Sequence, residues 1–401
     1  MWIPRTEEDI VDAVNQVSLA ETGTFDAKRE IPPKNAETAK DVSAMANSAG
    51  GVLLYGVGED QNRRLTILNP NLLSGQPERI EQIIRTSIDE VPNFNLISIP
   101  TKSDPTLGYI LVIVPPSDRA PHMVIIKGER RYYGRGETGN YTLSQIEIAR
   151  LYERRIQTSE GIRLLLDEHI SKPPIQRDDR YTHLHVVARP VLREEPILSR
   201  ALSSNQEYRD LLRNLVDHVS QSVNIGGSYT PDFTQPVGWT READGFLGKL
   251  RSASENDPRP SAHTLHLKVN FDGGASLFCG RAAEDGERAD YPLKYFFADL
   301  VAGNTTKFLA MLGELYRRAI YFGMVEIGVG LVGLQRAIPF ETRSRFDWYP
   351  RYEGNDAYQK TKRASATALQ VEPEKTAEEL LMPVIDAIFE ETYDPFNPER
   401  T

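Results

Sequence analysis

Ser43-Ala44-Met45-Ala46-Asn47-Ser48-Ala49-Gly50-Gly51-Val52-Leu53-Leu54-Tyr55-Gly56-Val57 is the stretch from which the fold is read. Residues 36–48 have the pattern of a helix, closed by Asn47 and the Gly50-Gly51 pair as C-terminal punctuation. Residues 52–57 form an unbroken apolar run of strand length. Such a run is expected in a strand buried on both faces, hence a central one.

Working towards the N-terminus, residues 7–19 place Ile10, Val11, Val14 and Val17 at helical spacing behind an acidic start. Gly23 breaks that pattern. Residues 24–28 alternate, with Phe25 and Ala27 predicted inward and Thr24, Asp26 and Lys28 outward. Towards the C-terminus, residues 78–90 are amphipathic through Ile80, Ile83, Ile84 and Ile88, and Pro92 ends them. Strands are predicted at 94–99, 109–114, 122–127 and 131–135. Thr142-x-x-Gln145 has the form of a capping box opening a helix to about residue 155. These elements make one α+β unit over residues 1–156.

Residues 157–401 predict a second α+β domain. Helices are expected at 160–170, 207–223 and 376–391, strands at 183–188 and 324–332, and a loop at 224–236. Asp272-Gly273-Gly274 sits between two strand-like segments, 264–271 and 275–279, as in a hairpin. A long helical region covers 291–322, with Gly303 as a candidate break.

The chain has 401 residues, 40% hydrophobic and 26% charged, the balance of a globular protein. A single cysteine, Cys279, excludes an intrachain disulfide and fits a reducing compartment. The start Met-Trp-Ile-Pro-Arg lacks the basic and apolar regions of a signal peptide, and no apolar run has membrane-spanning length. The cytoplasm is the expected location. A net charge of −10 argues against a protein that coats nucleic acid through a general positive field. Phosphate contacts would need a local patch, and the richest is Lys127-Gly-Glu-Arg130-Arg131-Tyr132-Tyr133-Gly-Arg135.

Three stretches of the first unit, in order, resemble the Schlafen AlbA-like domain family. They are Glu21-Thr-Gly-Thr-Phe-Asp26-Ala-Lys28, the Ala46-Asn47-x-x-Gly50-Gly51-strand-Gly56-Val57 segment, and Tyr132-Tyr133-Gly134-Arg135-Gly136. The second is the most specific. The resemblance covers residues 1–156; the second domain resembles no family we can name. It implies a nucleic-acid-binding module, and in some members a metal-dependent endonuclease acting on tRNA and rRNA. The three metal-holding acids of those members fall here on Glu21, Asp26 and either Glu59 or Asp60. Asp26 stands where Glu is usual, one methylene shorter.

Phosphodiester cleavage with Mg²⁺ or Mn²⁺ needs converging hard oxygen ligands and an activated water. Lys28, on the face of Asp26, would neutralise developing phosphorane charge. Residues five apart face opposite sides of a regular strand, so Glu21 and Asp26 converge only if the chain bends near Gly23. The same acid-x-Lys pattern also suits a plain solvated strand face. Lys127, Arg130, Arg131, Tyr133 and Arg135 would contact phosphates and bases, although basic residues also protect strand edges.

Other features carry less. His183 and His185 share a strand face without further ligands at metal-binding spacing. No phosphate-loop motif occurs, and Gly245-Phe-Leu-Gly248-Lys249 lacks the required spacing, so nothing in the residues supports ATP binding. Cys279 is expected in the core, as are Trp239, Trp348 and Tyr349. Three readings follow. The chain is a nuclease of RNA or DNA, a non-catalytic nucleic-acid-binding regulator, or an adaptor whose acidic second domain takes a protein partner. A homodimer would extend the reach of a single basic strand.

Overall fold

The computed structural model describes residues 2–16, 22–59, 64–126, 129–136, 139–157, 161–191, 204–225, 229–233, 237–250, 259–286, 293–319, 321–340, 351–390 and 392–397. The side chains of residues 59, 129, 156, 157, 237, 250, 260 and 261 lie outside the description. The chain divides into two compact units, Met1–Thr158 and Ser159–Thr401.

In the first unit, α1 (Glu7–Asn15) is opened by Thr6, whose hydroxyl accepts from Asp9 N–H while the Asp9 carboxylate accepts from Thr6 N–H. Strand β1 (Phe25–Lys28) runs parallel to β2 (Gly51–Tyr55), and α2 (Asn35–Asn47) connects them. The hairpin β3 (Val57–Glu59) and β4 (Leu65–Leu68) follows, then β5 (Asn71–Leu72), α3 (Gln76–Ser87) and β6 (Ile88–Asp89). Next come β7 (Asn95–Pro100), β8 (Leu107–Val114), β9 (Met123–Ile126), β10 (Glu129–Gly136), β11 (Gly139–Thr142) and α4 (Gln145–Gln157). One sheet has the order β1-β2-β8-β5, with β7 also on β8; the other has the order β11-β10-β9-β6.

Strand β2 is central and buried at every position, as its apolar run requires. Ala39, Val42 and Met45 of α2, Leu53 and Tyr55 of β2, Ile80, Ile83 and Ile84 of α3, and Ile110 and Val112 of β8 form the core. Each large apolar side chain buried there contributes about 1.5–3 kcal/mol relative to exposure. Gly50 fixes the turn from α2 into β2. Its φ is +76°, and a Cβ there would lie 2.6 Å from Pro116 Cδ. Only glycine fits both demands.

Two details of this unit differ from expectation. The last helix is capped by Ser144 and Glu147, not by Thr142 and Gln145. Ser144 Oγ donates to Glu147 Oε2 at 2.7 Å and accepts from Glu147 N–H at 3.3 Å. Thr142 instead ends β11, paired with Tyr133. Asn47 is not a cap either. Its Oδ1 accepts from His122 N–H at 2.6 Å, and its Nδ2 donates to the His122 and Tyr133 carbonyls at 3.0 and 2.8 Å. It pins the second sheet to α2.

The second unit contains α5 (Gly161–Ser171), β12 (Tyr181–Pro190), α6 (Asn205–Ser222), β13 (Val237–Arg241), β14 (Gly245–Leu250), β15 (Leu265–Asn270) and β16 (Ala275–Asp285). It continues with β17 (Lys294–Phe296), α7 (Ala298–Arg318), β18 (Met324–Val332), β19 (Ala337–Pro339), β20 (Ala357–Ser365), α8 (Ala366–Val371) and α9 (Pro373–Phe389). The main sheet has the order β13-β14-β15-β16-β12-β18-β20. Leu184, Val186 and Ala188 with Ile327 and Val329 face a core built with α6, α7 and α9. Val187, on the opposite face, packs on Ile162 and Leu166 of α5.

The 272–274 hairpin forms, with Gly273 at φ +84°. Helix α7 runs unbroken through Gly303, which is buried within it. Burial along most of that helix outweighs the cost of about 1 kcal/mol for one interior glycine. Gly245–Lys249 lies in strand β14, so its glycines form no phosphate loop. Trp239 packs partly buried against the core, whereas Trp348 and Tyr349 lie outside the described residues. Among the described residues, no helix is long and apolar enough to cross a membrane.

Candidate functional site

Parallel pairing of β1 with β2 aligns Asp26 with Leu53 and Lys28 with Tyr55. The chain enters β1 through a tight turn at Gly23-Thr24, closed by Thr22 N–H to Phe25 O at 3.0 Å. The predicted bend is therefore present, but Glu21 lies outside the described residues, as do Asp60 and Lys127. Glu59 ends β3 opposite Leu65.

Asp26 is not on a solvated face as the alternation suggested; it is 3 % exposed. The reason is that the second sheet brings Arg135 onto it. Arg135 Nη1 donates to Asp26 Oδ2 at 2.9 Å and to Asn140 Oδ1 at 3.2 Å. Asn140 Nδ2 in turn donates to Asp41 Oδ1 at 2.6 Å. Lys28 Nζ lies 3.3 Å from Asp26 Oδ1 and 3.6 Å from Asp41 Oδ2, and it alone of the four charged groups reaches solvent appreciably. Two acids and two cations thus form one closed network from β1, α2 and β10, with Asn140 of β11 bridging.

Asp41 is the member that sequence reasoning missed. It lies on α2 among Ala and Val, where an acid has the ordinary look of a helix surface residue. Burial pushes its carboxyl up to about 6; the nearby Lys28 ammonium pulls it down and the Asp26 carboxylate pushes it up. Among the described residues, its Oδ2 accepts no hydrogen bond.

A divalent ion does not fit this donor set as placed. The Asp26 carboxylate faces Lys28 and Arg135, and a metal between Asp26 and Asp41 would have to displace the Lys28 ammonium. Among the described residues, no three His, Cys, Asp or Glu side chains are grouped to hold a metal. Of the four acids singled out by resemblance, Asp26 is the one whose side chain is described.

Along β10 burial sorts the remaining candidates, with Arg131 exposed although it shares the strand face of Tyr133 and Arg135. Tyr133 is 7 % exposed within the core, under the Lys40 ammonium, so its ring is not an open stacking surface. Arg135 is likewise turned inward, its side chain 5 % exposed. Arg130 and Arg131 are exposed. Tyr132, on the face opposite Tyr133, is half-buried, and its hydroxyl lies 3.3 Å from that of Tyr152 on α4. That contact, with partial burial and the Tyr152, Asp89 and Glu90 charges, pushes the Tyr132 phenol up to about 12. Tyr152 itself is 43 % exposed. Glu90 is paired with Arg155 at 2.7 Å.

In the second unit, His183 and His185 do share a buried face, with a partner the sequence did not suggest. His185 Nδ1 lies 3.1 Å from His169 Nδ1 of α5. Burial pushes His169 and His183 down to about 4 and His185 to about 3. Cys279 is buried on β16, its thiol pushed up to about 11, which leaves it unreactive.

Residues 21–144 match the family model described as Schlafen, AlbA_2. This part of the first unit is a Schlafen AlbA-like domain, and the match leaves the second unit unassigned. No curated protein matches the chain. A crystal structure of a Corynebacterium diphtheriae protein is similar at 18% identity and a TM-score of 0.23, covering 36% of this chain and 31% of that one. The N-terminal domain of a RecG-related protein from Nitrosomonas europaea is similar at 16% identity and a TM-score of 0.24, covering 33% of this chain and 89% of that one.

Proposed function

We propose that the Schlafen AlbA-like domain binds nucleic acid, RNA or DNA, through the exposed side chains of β10. The observation that carries this reading is the sorting along that strand. Tyr133 and Arg135 build the interior, while Arg130 and Arg131 stay exposed and Tyr132 meets Tyr152 at the surface. A guanidinium pairs with phosphate, and a tyrosine ring held by its hydroxyl offers a base a stacking face at small entropic cost. The closed network behind it, Asp26-Arg135-Asn140-Asp41-Lys28, sets the position of β10 against β1 and α2, and Lys28 is its outlet to solvent.

Metal-dependent endonuclease cleavage is the finer version of this reading. It requires Glu21 and Glu59 or Asp60 to converge on Asp26, and Asp26 is already committed to Arg135 and Lys28. The proposal is therefore for binding.

The test is titration of labelled tRNA and single-stranded DNA with the purified chain over a range of salt, with Mn²⁺, Mg²⁺ or EDTA. Arg130→Ala/Arg131→Ala should weaken binding and flatten the salt slope by about 0.7 per lost contact on a single strand. Binding that is absent, or unchanged in slope by the double substitution, would overturn the reading. Cleavage with metal but not EDTA would establish the enzyme version.

A further inference from the structure

Strand β20 forms the edge of the second unit's sheet, paired with β18 on one side and, among the described residues, with no strand on the other. It spans nine residues, Ala357–Ser365, long enough to template another strand. Helix α9 lies alongside it. Tyr358 donates its hydroxyl to the Leu380 carbonyl at 2.6 Å, and Lys362 pairs with Glu379. Between strand and helix runs a groove of about 690 Å³, lined by Lys360, Lys362, Lys375, Glu379, Met382 and Pro383, with Glu378 also on its wall.

Pro383 lies inside α9 and has no N–H, so the Glu379 carbonyl lacks its helical donor. The groove therefore combines a strand edge that is unpaired among the described residues, an acceptor without its intrahelical partner and the apolar side chains of Met382 and Pro383. Its three ammonium groups exceed its two carboxylates by one; Lys362 and Glu379 pair with each other, and Lys375 lies 3.8 Å from Glu372.

We infer that the β20–α9 groove binds an extended segment of a partner protein as an added strand, with acidic side chains at alternate positions. Main-chain hydrogen bonds to β20 would supply affinity, and Lys360 and Lys375 would select acidic residues on the face turned towards α9. A second copy of β20 does not suit the place. Antiparallel self-pairing about Thr361 would set Lys360 directly against Lys362, and like charges opposite one another destabilise a strand pair.

The probe is a synthetic peptide of alternating glutamate and valine, added to the full chain and read by fluorescence anisotropy and amide hydrogen exchange. A second peptide of the same sequence is N-methylated at alternate backbone amides, which keeps its charge but removes the donors that would face β20. The first peptide should bind and slow exchange in residues 357–365. The methylated one should bind about tenfold more weakly or worse, a difference of one or more main-chain hydrogen bonds. Lys360→Ala/Lys375→Ala, checked for folding, should also weaken the first peptide and lower its sensitivity to salt. Equal binding of both peptides, protection elsewhere, or no binding would overturn the inference, and none depends on the folding of a variant.

Discussion

Arg135 and Asp26, 109 residues apart in sequence, meet at 2.9 Å with both side chains 5 % exposed. This pair joins the second sheet of the first unit to the first strand of the other sheet. Breaking one partner of a buried pair leaves a desolvated charge, which costs about 3–5 kcal/mol. Asp26→Ala and Arg135→Ala should each destabilise on that scale, and the double variant should lose clearly less than the sum. Urea unfolding of the four chains in a double-mutant cycle measures this. Additive losses would show that the two residues do not interact. Any test of Asp26 in nucleic-acid chemistry has to separate this effect from loss of the fold.

Asn47 makes three buried hydrogen bonds to the backbone of His122 and Tyr133. Asn47→Ala should cost at least about 3 kcal/mol, at roughly 1 kcal/mol per bond with further loss where a backbone group stays unpaired. Asn47→Asp keeps the acceptor but loses both donations, so it should not rescue. Hydrogen exchange at the amides of 122 and 133–135 would show whether β10 loosens first. Unchanged protection there would count against the pinning role.

Asp41 gives the first unit a defined pH response. Its folded pKa, about 6, lies above the ordinary 3.8, so the folded chain holds a proton that the unfolded chain has released. Asp41 alone therefore makes stability fall as pH rises from about 4 to about 6, by at most about 3 kcal/mol at 1.36 kcal/mol per unit. Asp41→Asn should remove this contribution, so that stability rises more steeply over that range through the buried His122 ring, pushed down to about 4. Carbon-detected NMR titration of the carboxyl should give a midpoint near 6, and an ordinary carboxylate midpoint would reject the assignment.

The buried histidines of the second unit act, like His122 of the first, with the opposite sign to Asp41. Burial depresses His169, His183 and His185 below their usual range, so the unfolded chain binds more protons under mild acid. Stability contributed by these neutral rings is present above about pH 6.5 and is lost as pH falls towards 4. Melting temperature measured across that window should drop steeply, and His185→Phe should shallow the slope. An acid profile unaffected by His185→Phe would mean the pair is solvated.

Much of the architecture was legible in the chain itself. The apolar run specified a central strand over residues 52–55 through its strand length between glycines, but Gly56, at φ +104°, ends β2 and Val57 opens β3 in a separate hairpin. Gly50, Asp272-Gly273-Gly274 and the periodicity of α3 and α6 acted the same way, through local backbone geometry and spacing. Positions governed by small margins were missed. The cap moved two residues to Ser144, and Gly303 was absorbed into α7, because tertiary packing outweighs local preferences of about 1 kcal/mol.

The candidate site was legible only in part. Sequence determined that Asp26, Lys28, Arg130, Arg131 and Arg135 belong to one domain, and that Asp26 and Lys28 share a strand face. Tertiary structure decided that Arg135 and Tyr133 turn inward, that Arg130 and Arg131 stay at the surface, and that Asp41 joins the charges from a helix with no distinguishing pattern. Electrostatic pairing depends on distances between segments about a hundred residues apart. Spacing along a strand fixes which way a side chain points, but the side it finds there is fixed only when the sheets pack.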